Sequence, residues 1–240
     1  METLQHKNVV IAGATGGIGR ALAKLVHHSR ARVYLTGRDA DALAGLRDEL
    51  GLGAERAVQL DVSDHEAVLA AGAQLEQACG SQGVDILVNA TGIGIIKPLE
   101  SLTYEDFART LDVNLKGAFS LLKAFVPGMK SRKRGLIVNL PGVLGKTPMA
   151  GAAAYAASKY GLNGMLKSVR EELRRTEVRI TNLYLGGTDT AFWDDIDLRV
   201  QRDKFVTAEE AARSIWFLCQ QPSSGVVSEM VLQPFNHQAI

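Results

Sequence analysis

A tyrosine and a lysine four residues apart are the side chains of this sequence with the clearest chemistry. Tyr155 and Lys159 stand in the segment AYAASKYGL, and this spacing places them on one face of a helix. A phenol titrates at about 10 in water, so it is a poor acid or base at neutral pH. An ammonium beside the phenol favours the phenolate, and we therefore expect Lys159 to lower the pKa of Tyr155. The pair predicts that Tyr155 donates a proton to a carbonyl oxygen and that Lys159 can also hold ribose hydroxyls. The alternative is an ordinary pair of side chains on a helix surface.

A glycine-rich segment near the N-terminus indicates a nucleotide site. The segment AGATGGIG lies between the apolar run Asn8 to Ala12 and a helical pattern that begins near Ile18. Glycines let the backbone approach a pyrophosphate, and a helix N-terminus offers it free N–H groups and a partial positive charge. A flexible turn is the alternative, but a strand before and a helix and strand after favour a dinucleotide site. The residues assigned to this loop are Gly13, Thr15, Gly16, Gly17, Ile18 and Gly19.

The residues after the second apolar run bear on which nicotinamide cofactor is bound. They read Thr36-Gly37-Arg38-Asp39. A cofactor without the extra ribose phosphate is held by a carboxylate here, whereas the phosphorylated form is held by a cation. Arg38 offers two N–H groups to a phosphate, although a solvated Arg38 and a merely capping Asp39 are the alternative. The segment favours NADP(H), with NAD(H) as the other candidate.

The elements that must position these residues alternate between short apolar runs and helical patterns. Parallel strands need crossover connections, and buried parallel strands are apolar on both faces. The pattern predicts an α/β fold in one domain spanning residues 1–240, with a doubly wound parallel sheet covered by helices on both faces. The seven predicted strands are Asn8 to Ala12, Arg32 to Thr36, Ala57 to Leu60, Asp85 to Asn89, Leu136 to Leu140, Arg179 to Tyr184 and Val226 to Leu232.

Capping residues predict where helices begin, and one long segment lacks the periodicity of a helix or strand. Asp39, Ser63 and Thr207 are predicted helix caps, and Glu66 and Glu210 stand three residues after the last two. Residues 186–206, which we call the lid segment, lack a clear periodicity. A connection of this length often covers an active site, so we predict a substrate lid there.

Composition excludes several other classes of protein. The 240 residues carry 27 Lys and Arg against 26 Asp and Glu, a net charge of +1, which argues against a nucleic-acid binder. Two cysteines provide no disulfide framework, and no apolar run approaches a signal-peptide core or a membrane span, so we expect a cytoplasmic protein without a membrane partner. No His, Cys and carboxylate cluster has metal-site spacing, and the GxSxG motif is absent.

Together these residues resemble the short-chain dehydrogenase/reductase family over essentially the whole chain. The matching motifs are Gly13-x3-Gly17-x-Gly19, Asp61-Val62, Asn89-Ala90-Thr91-Gly92, Asn114, Tyr155-x3-Lys159 and Gly186-Gly187-Thr188. The resemblance implies a seven-stranded Rossmann sheet and hydride transfer between a nicotinamide and an alcohol or ketone. It also implies a homodimer or homotetramer formed through the helices that bear Asn114 and Tyr155.

The resemblance further implies roles for individual residues. Asp61 and Val62 are expected to meet the adenine, while Asn89, Ala90 and Gly92 line the cofactor. Thr188 is expected to touch the carboxamide, and Asn114 to lie at a local break in its helix, in a proton path with Lys159. A polar residue facing a neighbouring helix is the alternative for Asn114.

Three positions depart from the family's usual pattern. Ala12 replaces a threonine, and the usual Asn-Asn-Ala-Gly is Asn-Ala-Thr-Gly here. The third departure matters most, because the family places a serine thirteen residues before the tyrosine to orient the substrate carbonyl, and that position is Gly142. Losing one such donor slows comparable enzymes by about 10² to 10³-fold.

Three explanations for Gly142 remain open. In the first, the protein is a working enzyme without the serine. Either Tyr155 and Lys159 suffice for an activated carbonyl, or another hydrogen-bond donor replaces the serine hydroxyl, such as the Gly142 N–H, Thr147, Thr188 or a water. Alternatively the protein is an NADP(H)-binding sensor or structural subunit, or the register of the loop is shifted.

The residues favour a working NADP(H)-dependent oxidoreductase that interconverts a small ketone or aldehyde and an alcohol, with Tyr155 as acid and Asn114 completing the proton path. The candidate substrate contacts are Gly142, Leu144, Met149, Phe192 and Trp193, although the apolar ones are equally consistent with core or dimer contacts.

Overall fold

A computed structural model of the chain describes residues 1–236. Seven parallel strands form one sheet in the order β3-β2-β1-β4-β5-β6-β9. The chain crosses from β3 to β4 over the middle of the sheet, so the strand order reverses between β1 and β4, which is where ligands bind in such folds. The strands of this sheet are β1 Asn8–Ala12, β2 Arg32–Gly37, β3 Ala57–Gln59, β4 Ile86–Asn89, β5 Gly135–Asn139, β6 Val178–Leu185 and β9 Glu229–Leu232.

The predicted doubly wound α/β fold is therefore confirmed, and most strand bounds agree within one or two residues. The last strand is the main exception, because it begins at Glu229 rather than at Val226. The lid segment is also more regular than predicted. Within and just after it, two short strands, β7 Thr188–Asp189 and β8 Val206–Thr207, pair in parallel as a second small sheet.

Residues 1–236 form seven α-helices, of which six cover the two faces of the main sheet, while α4 packs against α6. One face is closed by α1, α2 and α7, whose apolar side chains pack on odd-numbered β1 residues such as Val9 and Ile11. The other is closed by α3, α5 and α6, which pack on Val10 and Ala12. The helices are α1 Gly17–His28, α2 Ala40–Glu49, α3 His65–Ala78, α4 Tyr104–Leu111, α5 Gly117–Ser131, α6 Ala153–Leu173 and α7 Ala208–Leu218.

The helix caps agree with the sequence at two of the three predicted positions. Asp39 accepts from the Ala42 N–H, and Thr207 forms a reciprocal capping box with Glu210. The prediction at Ser63 is wrong, because Asp64 caps α3 and the Ser63 hydroxyl instead donates to Asp61.

Within residues 1–236, no helix combines the length and the apolar character that crossing a bilayer requires.

Candidate active site

The glycine loop forms a backbone cradle at the carboxyl end of β1. Gly13 has a φ of +82°, and a Cβ there would lie 2.8 Å from the Ala90 carbonyl oxygen. Both conditions exclude larger residues. No side chain caps the N-terminus of α1 at Gly16, and its first turn contains no acidic residue. The loop therefore fits a pyrophosphate, which needs close backbone approach and free N–H groups.

The remaining residues predicted to bind the cofactor lie along the same edge of the sheet. Thr15 contacts Gly37 at the end of β2, and Arg38 follows it at an exposed position. The Asp61 carboxylate accepts hydrogen bonds from the Ser63 N–H and hydroxyl. These hydrogen bonds hold the pKa of Asp61 below its usual value, and the charge of Arg38 contributes a smaller lowering. The Arg38 guanidinium and the ionised Asp61 carboxylate therefore lie close together, just after the ends of β2 and β3.

The loop after β4 and the start of β7 continue this edge. Asn89 accepts from the N–H and hydroxyl of Thr91, and the Ala90 N–H donates to the Ala12 carbonyl. Thr188 is buried and donates its hydroxyl to the Gly186 carbonyl at 3.1 Å. Val62 is also buried. All of these residues lie at or just after the carboxyl ends of β1, β2, β3, β4 and β6, at one edge of the sheet.

Tyr155 and Lys159 lie on α6 at this edge, as their spacing predicts. The Lys159 Nζ is 5.5 Å from the centroid of the Tyr155 ring and donates to the Leu140 carbonyl at 3.1 Å. A Cβ on Gly92 would lie 3.5 Å from the same Nζ and 3.3 Å from the Asn114 Oδ1. The structure therefore brings Lys159 and Asn114 together around Gly92, with Tyr155 one helical turn away.

The expected lowering of the Tyr155 pKa is wrong for this structure. Burial raises the pKa of Tyr155 well above its ordinary value, and burial lowers the pKa of Lys159 to about 8. Lys159 is only 4% exposed, and its ammonium contacts a carbonyl rather than the phenol oxygen. Withdrawal from water disfavours the charged form of both groups. Tyr155 is consequently a neutral phenol at neutral pH.

Asn114 lies in a π-helical turn, Asp112–Lys116, between α4 and α5. This turn is at the position of the predicted helix break. The Asn114 amide donates to the Ile93 carbonyl and the Ser158 hydroxyl, and its oxygen accepts from the Ile93 N–H. Since Ser158 in turn donates to the Tyr155 carbonyl at 2.7 Å, Asn114 ties the loop after β4 to α6.

Gly142 lies opposite Tyr155 in the loop between β5 and α6, residues 140–152, which we call the Gly142 loop. Its φ of +69° and ψ of 167° belong to a region that only glycine occupies readily. A Cβ there would point toward the site, 4.0 Å from the Tyr155 hydroxyl and 3.5 Å from the Leu185 carbonyl oxygen. The space for the family's serine is therefore present, but the backbone conformation disfavours that residue.

A polar network behind the Gly142 loop was missed by sequence reasoning. The Lys146 Nζ is 2.6 Å from the Glu229 Oε2 and 4.1 Å from the centroid of the Tyr184 ring. Asn163 on α6 donates to the Gly145 carbonyl and accepts from the Tyr184 hydroxyl. The network joins the loop to the helix of Tyr155, and no local pattern signals a contact between residues 83 positions apart.

The lid segment closes over Tyr155 with aromatic side chains. The Phe192 and Tyr155 ring centroids are 5.7 Å apart, and Phe192 also contacts Gly94, where a Cβ would overlap the ring. Trp193 stacks edge-on against Phe192 and donates to the Thr188 carbonyl. Of the predicted substrate contacts, Phe192 and Gly142 thus lie beside Tyr155, with Trp193 one ring further away.

Leu144 and Met149 are half-buried in the Gly142 loop, Leu144 within the short 3₁₀ turn Val143–Gly145.

An ion pair holds the lid segment together. Arg202 binds the carboxylates of Asp189 and Asp194, each at 2.6 Å, and the Thr190 carbonyl. Thr190 also contacts Gly17 in the cofactor loop, where a Cβ would lie 2.8 Å from its methyl group. The lid segment is therefore in contact with both the glycine loop and Tyr155.

Among the described residues, no three His, Cys, Asp or Glu side chains are grouped so that they could hold a metal ion.

Comparison with known proteins agrees with this geometry. An uncharacterized oxidoreductase of Myxococcus xanthus (strain DK1622) is 35% identical over 189 residues, which cover 78% of this chain and 74% of that protein. The NADP-dependent 3-hydroxy acid dehydrogenase YdfG of Salmonella typhimurium is 29% identical, with 94% of each chain covered.

Solved structures show the same architecture. Serine dehydrogenase from Escherichia coli has a TM-score of 0.84 and 27% identity, covering 96% of this chain and 99% of that one. An alcohol dehydrogenase from the archaeon Thermococcus sibiricus, complexed with 5-hydroxy-NADP, has a TM-score of 0.85 and 27% identity, covering 98% and 99%.

The sequence profile described as short chain dehydrogenase matches residues 7–200. Since this is most of the chain, the protein belongs to the short chain dehydrogenase family, a family of oxidoreductases.

Proposed function

We propose that this protein is an NADP(H)-dependent reductase that converts a ketone or aldehyde to an alcohol, reversibly. The observation that carries the proposal is the position of Tyr155 on α6, facing Gly142 and at the same sheet edge as the glycine loop. A protonated phenol at that edge can supply the proton that carbonyl reduction requires.

The residues at the edge fit the cofactor. The Gly13 cradle and the uncapped start of α1 would hold the pyrophosphate, and Arg38 would hold the ribose phosphate that distinguishes NADP(H) from NAD(H). Two of the relatives described above are named for NADP dependence or were solved with an NADP derivative. When bound, the cofactor supplies the hydride that is added to the carbonyl carbon.

Each catalytic side chain has one task in the proposed reaction. Tyr155 donates its phenolic proton to the carbonyl oxygen, and its raised pKa keeps that proton in place until charge develops on the oxygen. Lys159, one helical turn from Tyr155 and with a pKa lowered to about 8, would serve as the proton source that recharges Tyr155 after turnover. The Asn114 amide donates to the Ile93 carbonyl and the Ser158 hydroxyl. Through Ser158 it positions Tyr155 and Lys159, which lie on the same helix.

The missing serine supports a second candidate function. A Gly142 backbone that disfavours serine removes one donor to the developing oxyanion. A protein with an intact cofactor cradle and this defect would serve as an NADP(H) sensor or a structural subunit.

One experiment separates the two candidates. Purified protein is supplied with NADPH and a panel of neutral and acidic ketones and aldehydes, and the loss of NADPH absorbance is followed. The reductase predicts turnover that Tyr155→Phe removes, while NADPH still raises the melting temperature of both proteins. Stabilisation by NADPH without turnover of any carbonyl compound would establish the binder instead.

We also propose that the protein is a homodimer or homotetramer formed through α5 and α6. Phe119 and Tyr160 on these helices are 46% and 44% exposed, and a partner packed on α5 and α6 would cover both. Light scattering of the wild type and of Phe119→Asp tests this proposal, since the charged variant should shift the protein toward monomer.

A further inference from the structure

We propose that the carbonyl compound reduced at Tyr155 is neutral, with an apolar group next to the carbonyl, and that keto acids are rejected. This inference rests on the proposed reductase function and specifies its substrate class. It is carried by the aromatic wall beside Tyr155 and by the ion pairs of the cations in the loops around it; the ammonium of Lys159, on the helix of Tyr155, is engaged by the Leu140 carbonyl.

The wall beside the reacting position is apolar. Phe192 packs on Tyr155, and Gly94 makes room for its ring, because any larger residue at position 94 would overlap it. Trp193 and then Phe205 continue the stack, with successive centroids 5.3 Å and 5.2 Å apart. On the opposite side, Gly142 contributes no polar side chain. A substrate whose carbonyl reaches the Tyr155 hydroxyl must therefore place its neighbouring group against aromatic carbon.

Cations in the loops that frame this space are already paired. They belong to the loop after β4, the Gly142 loop and the lid segment, and their pairs are Lys97 with Asp106 at 2.7 Å, Lys146 with Glu229 at 2.6 Å, and Arg202 with Asp189 and Asp194 at 2.6 Å each. A substrate carboxylate would have to compete with a protein carboxylate for each of these cations. A carboxylate withdrawn from water without a cationic partner is strongly destabilised.

The lid segment adds a repulsive charge. Its residues 186–206 contain five Asp against three Arg and Lys, a net charge of −2. In the described part of the lid segment, Arg199 and Lys204 are the cations outside the pairs above, and both are exposed. Arg199 follows the exposed Asp195 and Asp197 closely in the chain. The field that an approaching anion meets at the lid is therefore unfavourable.

This substrate class differs from that of two relatives. The Salmonella protein is named for 3-hydroxy acids and the Escherichia coli structure for serine, and compounds of both kinds carry a carboxylate. The difference makes the inference testable with substrates that differ only in that group.

The test uses a matched ester and acid. Methyl benzoylformate and benzoylformate share the same ketone and phenyl ring, and kcat/KM is measured for each with NADPH and the full-length protein. We expect the ester to be preferred by about 100-fold or more. Comparable kcat/KM values for the two, or a preference for the acid, would overturn the inference while leaving the reductase standing. If neither the ester nor any other carbonyl compound is reduced although NADPH binds, the proposed function fails and the inference fails with it.

Charge variants test the cause of the preference. Asp195→Asn/Asp197→Asn should raise kcat/KM for benzoylformate severalfold and leave that for the ester unchanged, because only the acid senses the lid charge. Glu172→Gln, an exposed carboxylate near the end of α6, is the matched control and should change neither value. If the acid is reduced well and Arg199→Ala abolishes that activity, Arg199 is a carboxylate anchor and the inference is wrong.

Discussion

Replacing Gly142 by serine restores the family's usual side chain on a backbone that opposes it. At φ +69° and ψ 167°, a residue with a Cβ is strained by about 1–3 kcal/mol. Steric contact adds little, because the nearest atoms to a Cβ are the Leu185 carbonyl oxygen at 3.5 Å and the Tyr155 hydroxyl at 4.0 Å. For a chain of 240 residues, this strain corresponds to a fall in melting temperature of about 2–12 °C.

The serine hydroxyl lies one bond beyond Cβ, so one rotamer brings it within hydrogen-bond range of the Tyr155 hydroxyl. Gly142→Ala carries the same backbone strain without a hydroxyl and is the matched control. We expect both variants to lose similar stability, and Gly142→Ser to exceed Gly142→Ala in kcat/KM by about 10²-fold, the effect of one preorganised donor.

Thermal melts and steady-state kinetics with NADPH and a neutral ketone measure the two effects separately. Unchanged melting temperatures in both variants would refute the strain argument. Equal kcat/KM for the serine and alanine variants would refute the argument that a missing hydroxyl limits the reaction, and would indicate that another donor already serves the carbonyl oxygen.

Three further predictions concern cations of the site. Lys159→Met should abolish turnover yet raise stability at pH 7 by about 1–3 kcal/mol. The Lys159 pKa falls from 10.5 to about 8 on folding, so the wild type carries this penalty in full below about pH 8 and loses it as the pH rises toward 10.5, where the melting temperatures of the two proteins should converge. Arg38→Ala should weaken NADPH binding by about 10- to 100-fold and leave NADH binding unchanged, as measured by titration calorimetry. Lys146→Met and Glu229→Gln should each lower kcat/KM for a ketone by about 10-fold, because they release the Gly142 loop, and should leave NADPH affinity unchanged. Lys146→Arg keeps the ion pair with Glu229 and should retain the wild-type kcat/KM.

Sequence reasoning located the main sheet, and it nominated most of the residues of the candidate site, because both depend on local patterns. Continuous apolar runs of three or four residues marked β1, β4 and β5, and glycine spacing marked the cradle at Gly13. The Tyr155 and Lys159 pair followed from helical spacing together with its position after the fifth strand of a nucleotide-binding pattern. Each of these features lies within one element or one turn, where the side-chain period determines the outcome.

The features that were missed depend on contacts between distant parts of the chain. Phe192 reaches Gly94 across the cleft, and Lys146 reaches Glu229 on the last strand of the sheet. The pKa of Tyr155 was predicted in the wrong direction for the same reason. Its helical spacing from Lys159 was visible in the sequence, whereas its burial beneath the lid segment was not.

The departure from the family pattern that matters most lies beside Tyr155. Gly142 lacks the serine and lies opposite the Tyr155 hydroxyl, while Gly94 admits the ring of Phe192, which packs on Tyr155. Glycine at both positions would leave a loose site unless other groups held the loops. Lys146 and Asn163 hold the Gly142 loop, and Arg202 holds the lid segment. A strained backbone that several contacts maintain beside a reacting group is typical of a functional site. The absence of serine is therefore better explained as part of a reshaped, apolar carbonyl site than as a simple loss of catalysis.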